Sequence, residues 1–198
     1  MEERGLSIAH TTIMRWVHQY GTELDERVRR HLQSKNDSWR VDETYVKVKG
    51  QWLYLYRAVN SEGNTIDFYL SESRDKQAAK RFFKKALVFS HVSKPRVITV
   101  DKNPAYTIAI QELKEEKQMP EGIKLRQVKY LNNIVEQDHC FIKKRIRPML
   151  GLKSLRTAKR IIAGIEAMHM IKKGQTLQRE KSVQNQKQFI NKLFGLAS

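Results

Sequence analysis

The chain has 198 residues, 40% of them hydrophobic, with a formal net charge of +17 and a single cysteine, Cys140. That length allows one good core with a small appendage, and the hydrophobic content excludes wholesale disorder. One cysteine excludes an internal disulfide and a cysteine-based zinc cluster. No apolar run approaches the roughly 20 residues of a membrane span, and no apolar stretch follows Met1-Glu2-Glu3-Arg4 as a signal peptide requires. The expectation is a soluble, cytoplasmic protein with no membrane partner. Charge of this size speaks to partners rather than fold, and it favours a polyanion, nucleic acid above all, over an anionic membrane or a merely solvated basic face. It is also uneven: Gln137–Ser198 holds fourteen Lys or Arg against three Asp or Glu, so eleven of the seventeen net positive charges lie in the last third.

Residues 1–20 read as a helix end at Glu2–Gly5, a turn, and a short helix Ile13–Tyr20 stopped by Gly21. Ile13, Trp16, Val17 and Tyr20 fall at i, i+3, i+4 and i+7, the spacing of one buried stripe, which leaves Thr11, Thr12, Arg15, His18 and Gln19 outward. Thr, Arg and Gln on a short helix after a glycine turn suit a helix-turn-helix reader of the major groove; a small packing helix fits equally well. Such a unit has three helices, and this chain begins inside the second, so the segment 1–36 is expected to be a partial, shortened reader and linker. Glu23–Ser38 is charged, a helix running into that linker, with a boundary near Asn36.

The period then changes. Trp39–Val48 alternates like a strand, Lys49-Gly50-Gln51 is a hairpin turn, Trp52–Val59 is a central strand, and Thr65–Leu70 is a third strand after the turn Asn60–Asn64. Asp75 caps a helix through Ser90 with Ala79, Phe82, Phe83, Ala86 and Leu87 inward. Arg96–Asp101 is a short apolar run suited to a buried parallel strand. Helices over Ala105–Lys117, Leu131–Arg147, Leu155–Lys172 and Gln186–Phe194, and a weak strand Lys124–Val128, complete the chain. Three strands, helix, strand, helix, strand, helix is the order of an α/β ribonuclease-H-like fold, a mixed five-stranded sheet flanked by helices. The expected division is a catalytic domain over 37–175 and a basic tail with a short helix over 176–198.

In that arrangement the first and fourth strands are neighbours, which brings Asp42 beside Asp101 at the carboxyl edge where open α/β sheets bind ligands. Asp42 lies within Trp-Arg-Val-Asp-Glu-Thr-Tyr-Val, where an isolated charge is costly to bury. Glu43 is a rival, which alternation sends to the other face. Glu136, on the long helix, can lean over the aspartate pair and shares a face with Lys143, two turns on, and with Arg147. Carboxylates gathered from separate elements repel one another unless a cation is bound, and hard oxygen ligands favour magnesium, two ions being able to serve both the attacking and the departing oxygen of a phosphodiester. His139 and Cys140 invite a zinc reading, but His169 is the only other candidate ligand in reach. No Walker loop or dinucleotide glycine fingerprint occurs, and Lys102-Asn103-Pro104 reads as a turn.

Three segments together, WRVDETYVKVKGQWLYLYRAV, VITVDKNPAY and VKYLNNIVEQDHCFIKKR, resemble the DDE transposases of bacterial insertion sequences, and closely the IS-six group that forms cointegrates. The 34 residues between Asp101 and Glu136 match that family's spacing, and Lys143 stands at its basic position two turns after the glutamate. The resemblance runs from Gly5 to about Lys173. It implies that Asp42 bridges two magnesium ions, with manganese able to substitute, and that Asp101 and Glu136 each complete one. It also implies that Lys143 contacts the terminal DNA of the element; Lys144, Arg147, Arg15, Thr11 and Thr12 are the further DNA-contact candidates. The implied reaction is nicking to free a 3′-hydroxyl, then attack of that hydroxyl on target DNA. The implied partners are double-stranded DNA, as terminal inverted repeats and as target, and further copies of the chain in a dimer or larger assembly. The family commonly has arginine where this chain has Cys140, which predicts reduced activity. A DNA-binding remnant that interferes with a full-length relative, and a nuclease that cuts without joining, are the competing readings.

Overall fold

The computed structural model describes residues 5, 7–32, 37–88, 94–128, 133–147, 152–176 and 182–196, the side chains of 133–137 lying outside the description. Its contacts divide the chain into two compact units, a sheet unit over 33–151 and a helical unit that combines 1–32 with 152–198.

In the sheet unit, β1 (Ser38–Val48) and β2 (Gln51–Asn60) form a hairpin around Lys49 and Gly50, whose φ values of 49° and 83° are the left-handed pair that a two-residue turn needs. β3 (Thr65–Ser71) extends the meander antiparallel to β2. α2 (Lys76–Val88) follows; Asp75 caps it, its Oδ1 accepting the Ala78 N–H at 2.7 Å. β4 (Val97–Val100), α3 (Pro104–Glu115), β5 (Lys124–Gln127) and α4 (Asn133–Ile146) complete the unit. The sheet order is β3-β2-β1-β4-β5, with β4 parallel to both of its neighbours. This is the ribonuclease-H-like arrangement expected from the order of elements. Elements end within a few residues of the expected bounds; the parts of the expected helices at 89–90 and 131–132 lie outside the described residues.

The main core lies between one sheet face and helices α2 and α3. Trp39, Val41, Tyr56, Ile98 and Val100 meet Phe82, Phe83 and Tyr106 there, all nearly inaccessible to solvent. Alternation gives Val41 to this face and Asp42 to the opposite one. α4 packs on β1 and β2. It is fixed by an ion pair between Arg57 of β2, fully buried, and Asp138 of α4, at 2.6 Å. Arg57 is the cross-strand partner of Asp42 and therefore shares its face. The residue that anchors α4 thus stands next to the first candidate acid.

The helical unit corrects the reading of the first 30 residues. The short helix expected to stop at Gly21 is the first half of α1 (His10–Arg29), which absorbs the charged segment after it. Its stripe of Ile13, Trp16, Val17 and Tyr20 is not a buried face: Trp16 and Tyr20 are 45% and 43% exposed, and burial begins at Gly21 and continues through Asp25, Val28 and Arg29. The expected helix end at Glu2–Gly5 falls almost wholly outside the described residues. Gly21 is a crossing point rather than a stop. A Cβ on it would lie 2.8 Å from the Arg160 carbonyl oxygen and 3.4 Å from Gly164 Cα, both in α5 (Leu155–Lys172). Two glycines face to face let the helix backbones touch, so α5 packs along α1 within this unit, and α6 (Val183–Leu193) adds Phe189 to the cluster of Val28, Ala167 and Met170. By contact, residues 152–176 therefore group with 7–32.

Replacing Gly21 by alanine tests this crossing. Helix propensity alone favours alanine by about 1 kcal/mol, but backbone lies where the methyl must go, and overpacking of that kind costs about 1–3 kcal/mol. Chemical unfolding of G21A is expected to show a net loss of stability; a net gain would contradict the close approach.

Candidate active site

β1 and β4 run parallel with Arg40 opposite Thr99, so two residues further on Asp42 comes beside Asp101, the first residue past the end of β4. β4 is only four residues long while β1 continues for six residues beyond Asp42. Among the described residues no further strand lies on that side of β1 at this rim, and the two faces open onto one edge. Ligand oxygens of Asp42, Glu43 and Asp101 all lie within 4.8 Å of one another there. The structure thus brings Asp42 and Asp101 together as expected and adds Glu43 to them. Alternation does send Glu43 to the α3 face, but at the edge that does not remove it from the cluster. Among the described residues no other group of His, Cys, Asp or Glu has metal-ligand spacing.

Each acid is held in place. Asp42 Oδ1 accepts the Glu43 N–H at 2.9 Å. Asp101 Oδ1 accepts the Asn103 N–H at 3.0 Å, and its Oδ2 lies 3.5 Å from Arg74 Nη2. Asn103 is also the N-cap of α3, accepting the Ala105 N–H at 3.0 Å ahead of Pro104 at the first turn, so the same turn starts the helix and fixes the aspartate. The Glu43 carboxylate accepts from Arg74 Nε and from the Tyr106 hydroxyl, and from Asn103 Nδ2 at 3.3 Å. Burial, and then the charge of Glu43, push the Tyr106 hydroxyl well above the usual phenol range, so it remains a proton donor. Tyr56 is raised by the same two causes in the same order. Burial works against the Arg74 charge, but the charge and hydrogen bond of Glu43 outweigh it and the guanidinium is held still more firmly protonated. The sequence alone singles out neither Arg74 nor Tyr106 as a site residue. Tyr106 closes the segment VITVDKNPAY that carries the family resemblance, but no spacing marks it as a partner of Glu43, and Arg74 sits in a loop whose visible signal is the neighbouring cap Asp75.

Glu136 lies in α4, its side chain outside the described residues. On the same helix Lys143 is half-buried and Lys144 exposed, and Arg147 is exposed just past its end. In α1, Thr11 and Arg15 are exposed and Thr12 half-buried. His139 is buried and Cys140 exposed, and neither joins a metal-ligand group.

Comparison with known proteins bears on this site. A family model described as a DDE domain, of the IS240 transposase type, matches residues 36–175. The transposase of the insertion sequence-like element IS431mec of Staphylococcus aureus is 35% identical over 173 residues, covering 87% of this chain and 75% of that protein. The transposase of IS257 in transposon Tn4003, also from Staphylococcus aureus, is 35% identical over 170 residues, 86% and 73% of the two chains. The chain belongs to the DDE transposases of the IS-six group. Its function is DNA transposition, carried out as a polynucleotidyl transferase. The fold agrees: the catalytic core domain of HTLV-2 integrase, solved in complex with magnesium in a dimeric form, superposes with a TM-score of 0.51 at 20% identity over 67% of this chain and 85% of that one. No helix among the described residues of this transposase is long and apolar enough to cross a membrane.

His139 offers a check on how α4 is seated. Burial first, then the positive charges of Arg57 and Lys143, lower its pKa to about 3 against a pull upward from Asp138. Its Nε2 has no hydrogen-bond partner among the described residues. A folded pKa below the unfolded value of about 6.5 contributes stability in full above that value and loses it as pH falls toward 3. Between pH 7 and pH 5 the loss is about 2 kcal/mol at 1.36 kcal/mol per unit. Urea unfolding at both pH values is expected to show the stability gap between the parent and His139→Leu shrinking by that amount at pH 5. An unchanged gap would mean that His139 is accessible to protonation and that α4 does not sit on the sheet in this way.

Proposed function

We propose that Asp42, Asp101 and Glu136 are the catalytic carboxylates of this transposase and that together they hold two magnesium ions, with manganese able to replace them. The carrying observation is the meeting of Asp42 and Asp101 within 4.8 Å at the sheet rim. α4, the helix that carries Glu136, is bound to the Asp42 face through Arg57 and Asp138. The donor set fits: clustered carboxylate oxygens are what a hard dication takes, and they leave positions for water and phosphate. When bound, such ions lower the cost of charge at both the attacking and the departing oxygen of an in-line displacement.

In the first reaction a water oxygen attacks phosphorus at the element end and the bond from phosphorus to the 3′ oxygen breaks, leaving a 3′-hydroxyl. In the second, that hydroxyl oxygen forms a bond to a target phosphorus while the target's own 3′ oxygen departs. Each step makes one P–O bond and breaks one, so joining needs no external energy source. The side chains of this protein have three tasks in both steps. They fix the carboxylate oxygens, keep the phosphate in line, and supply positive charge where DNA enters. Lys143, Lys144 and Arg147 near the end of α4 suit the last task for the terminal DNA, and Thr11, Thr12 and Arg15 on α1 suit contact with the terminal repeat. Two element ends must be joined in one event, which favours a dimer or larger assembly on DNA, working in the cytoplasm on the nucleoid.

The reading is tested by strand transfer of a pre-nicked element-end duplex into a supercoiled plasmid with magnesium. Asp42→Asn and Asp101→Asn are each expected to lower the joining rate at least about a hundredfold, the loss of several kcal/mol of transition-state stabilisation, while gel-shift affinity for the duplex stays the same or rises. Joining at the parental rate in either variant would reject the assignment, and cutting without joining in the parent would favour a plain nuclease.

A further inference from the structure

Glu43 belongs to the acidic cluster, yet its surroundings differ from those of its neighbours. The Glu43 side chain is 2% exposed, against 32% for Asp101, so an ion arriving from solvent with its water shell meets Asp101 and not Glu43. Both Glu43 oxygens are already engaged, one by Arg74 Nε and Asn103 Nδ2 and the other by the Tyr106 hydroxyl. Two of those partners turn outward to Asp101. The Asn103 backbone N–H donates to Asp101 Oδ1 at 3.0 Å, and Arg74 Nη2 stands 3.5 Å from Oδ2. Each oxygen of Asp101 is therefore approached by a group whose other end rests on Glu43.

We propose that Glu43 is a positioning residue that does not ligate the metal: anchored by Tyr106, it orients Arg74 and Asn103, and through them sets the direction in which Asp101 presents its oxygens. The inference rests on Asp42 and Asp101 holding metal, as argued above. A carboxylate outside the ligand set acts on the metal through the ligand it steadies, and losing such a partner typically weakens metal affinity about 10–100-fold. A buried glutamate among donors also keeps the positive charge of Arg74 at the rim, close enough to offset part of the repulsion among the acids.

The test is manganese affinity of the full chain, read from the free-ion electron paramagnetic resonance signal, for the parent, Glu43→Gln, Tyr106→Phe and the double variant. Tyr106→Phe removes one hydroxyl and keeps the shape of a buried ring, so it serves where Glu43→Gln fails to fold. Glu43→Gln is expected to weaken binding about tenfold or more with the number of ions bound unchanged. Tyr106→Phe should weaken it in the same direction, and the double variant should be no worse than Glu43→Gln, because the two residues act along one path. Parental affinity in both single variants would overturn the proposal. So would loss of one bound ion in Glu43→Gln together with equal or tighter binding in Tyr106→Phe, since that is the behaviour of a direct ligand whose oxygen has been freed. Asp42→Asn and Asp101→Asn run alongside: if they leave manganese binding untouched, the metal assignment fails, and the failure is not one of positioning.

Discussion

Mutual repulsion among carboxylates is the constraint around which the sheet unit is arranged. Asp42, Glu43 and Asp101 crowd within 4.8 Å at the end of a short strand, and groups of one sign at that distance disfavour joint ionisation unless positive charge or donors meet them. The fold supplies both. Arg74 touches two of the three acids, and Asn103 donates to the same two, once from its backbone and once from its side chain. Tyr106 caps Glu43, whose side chain is more buried than that of Asp101, from the core. These donors are all on the Glu43 and Asp101 side. The Asp42 side faces α4, the helix that carries Glu136 and Lys143.

Burying an ion pair is a costly way to fix that helix. Hydrophobic residues of similar volume would hold α4 on β2 at least as well as Arg57 and Asp138 do, whereas either charge left alone in that place would be strongly destabilising. An apolar contact tolerates sliding by a fraction of a turn; a guanidinium 2.6 Å from a carboxylate oxygen does not. Position along the helix matters here, because Glu136 is carried two residues before Asp138. In the helical unit the same demand for a single register is met by close backbone contact, with Gly21 against Gly164.

The sheet unit was legible in the sequence because its signals are local. The change of period at Trp39, the hairpin turn at Lys49-Gly50-Gln51 and the buried run before Asp101 each mark an element by themselves. Asp42 and Asp101 followed from topology, since parallel pairing of β1 with β4 leaves little choice of neighbour. Alternation assigns Glu43 its face, but it does not show how close that carboxylate stays to Asp42 and Asp101 where the adjoining strand ends after Val100. Gly21 was misjudged because a glycine in a helical pattern signals a stop unless another helix is known to cross there. Arg74 and Tyr106 could not be found from spacing: one stands in the loop before α2 and the other on α3, and both meet Glu43 only in three dimensions.

The most direct measurement is a crystal structure of the transposase with a nicked element-end duplex and manganese, using anomalous scattering to locate the ions. Two manganese peaks about 3.5–4 Å apart are expected, with Asp42 touching both, Asp101 and Glu136 touching one each, and Glu43 still bonded to Tyr106. Peaks held by Glu43, with Glu136 turned away from them, would contradict that arrangement.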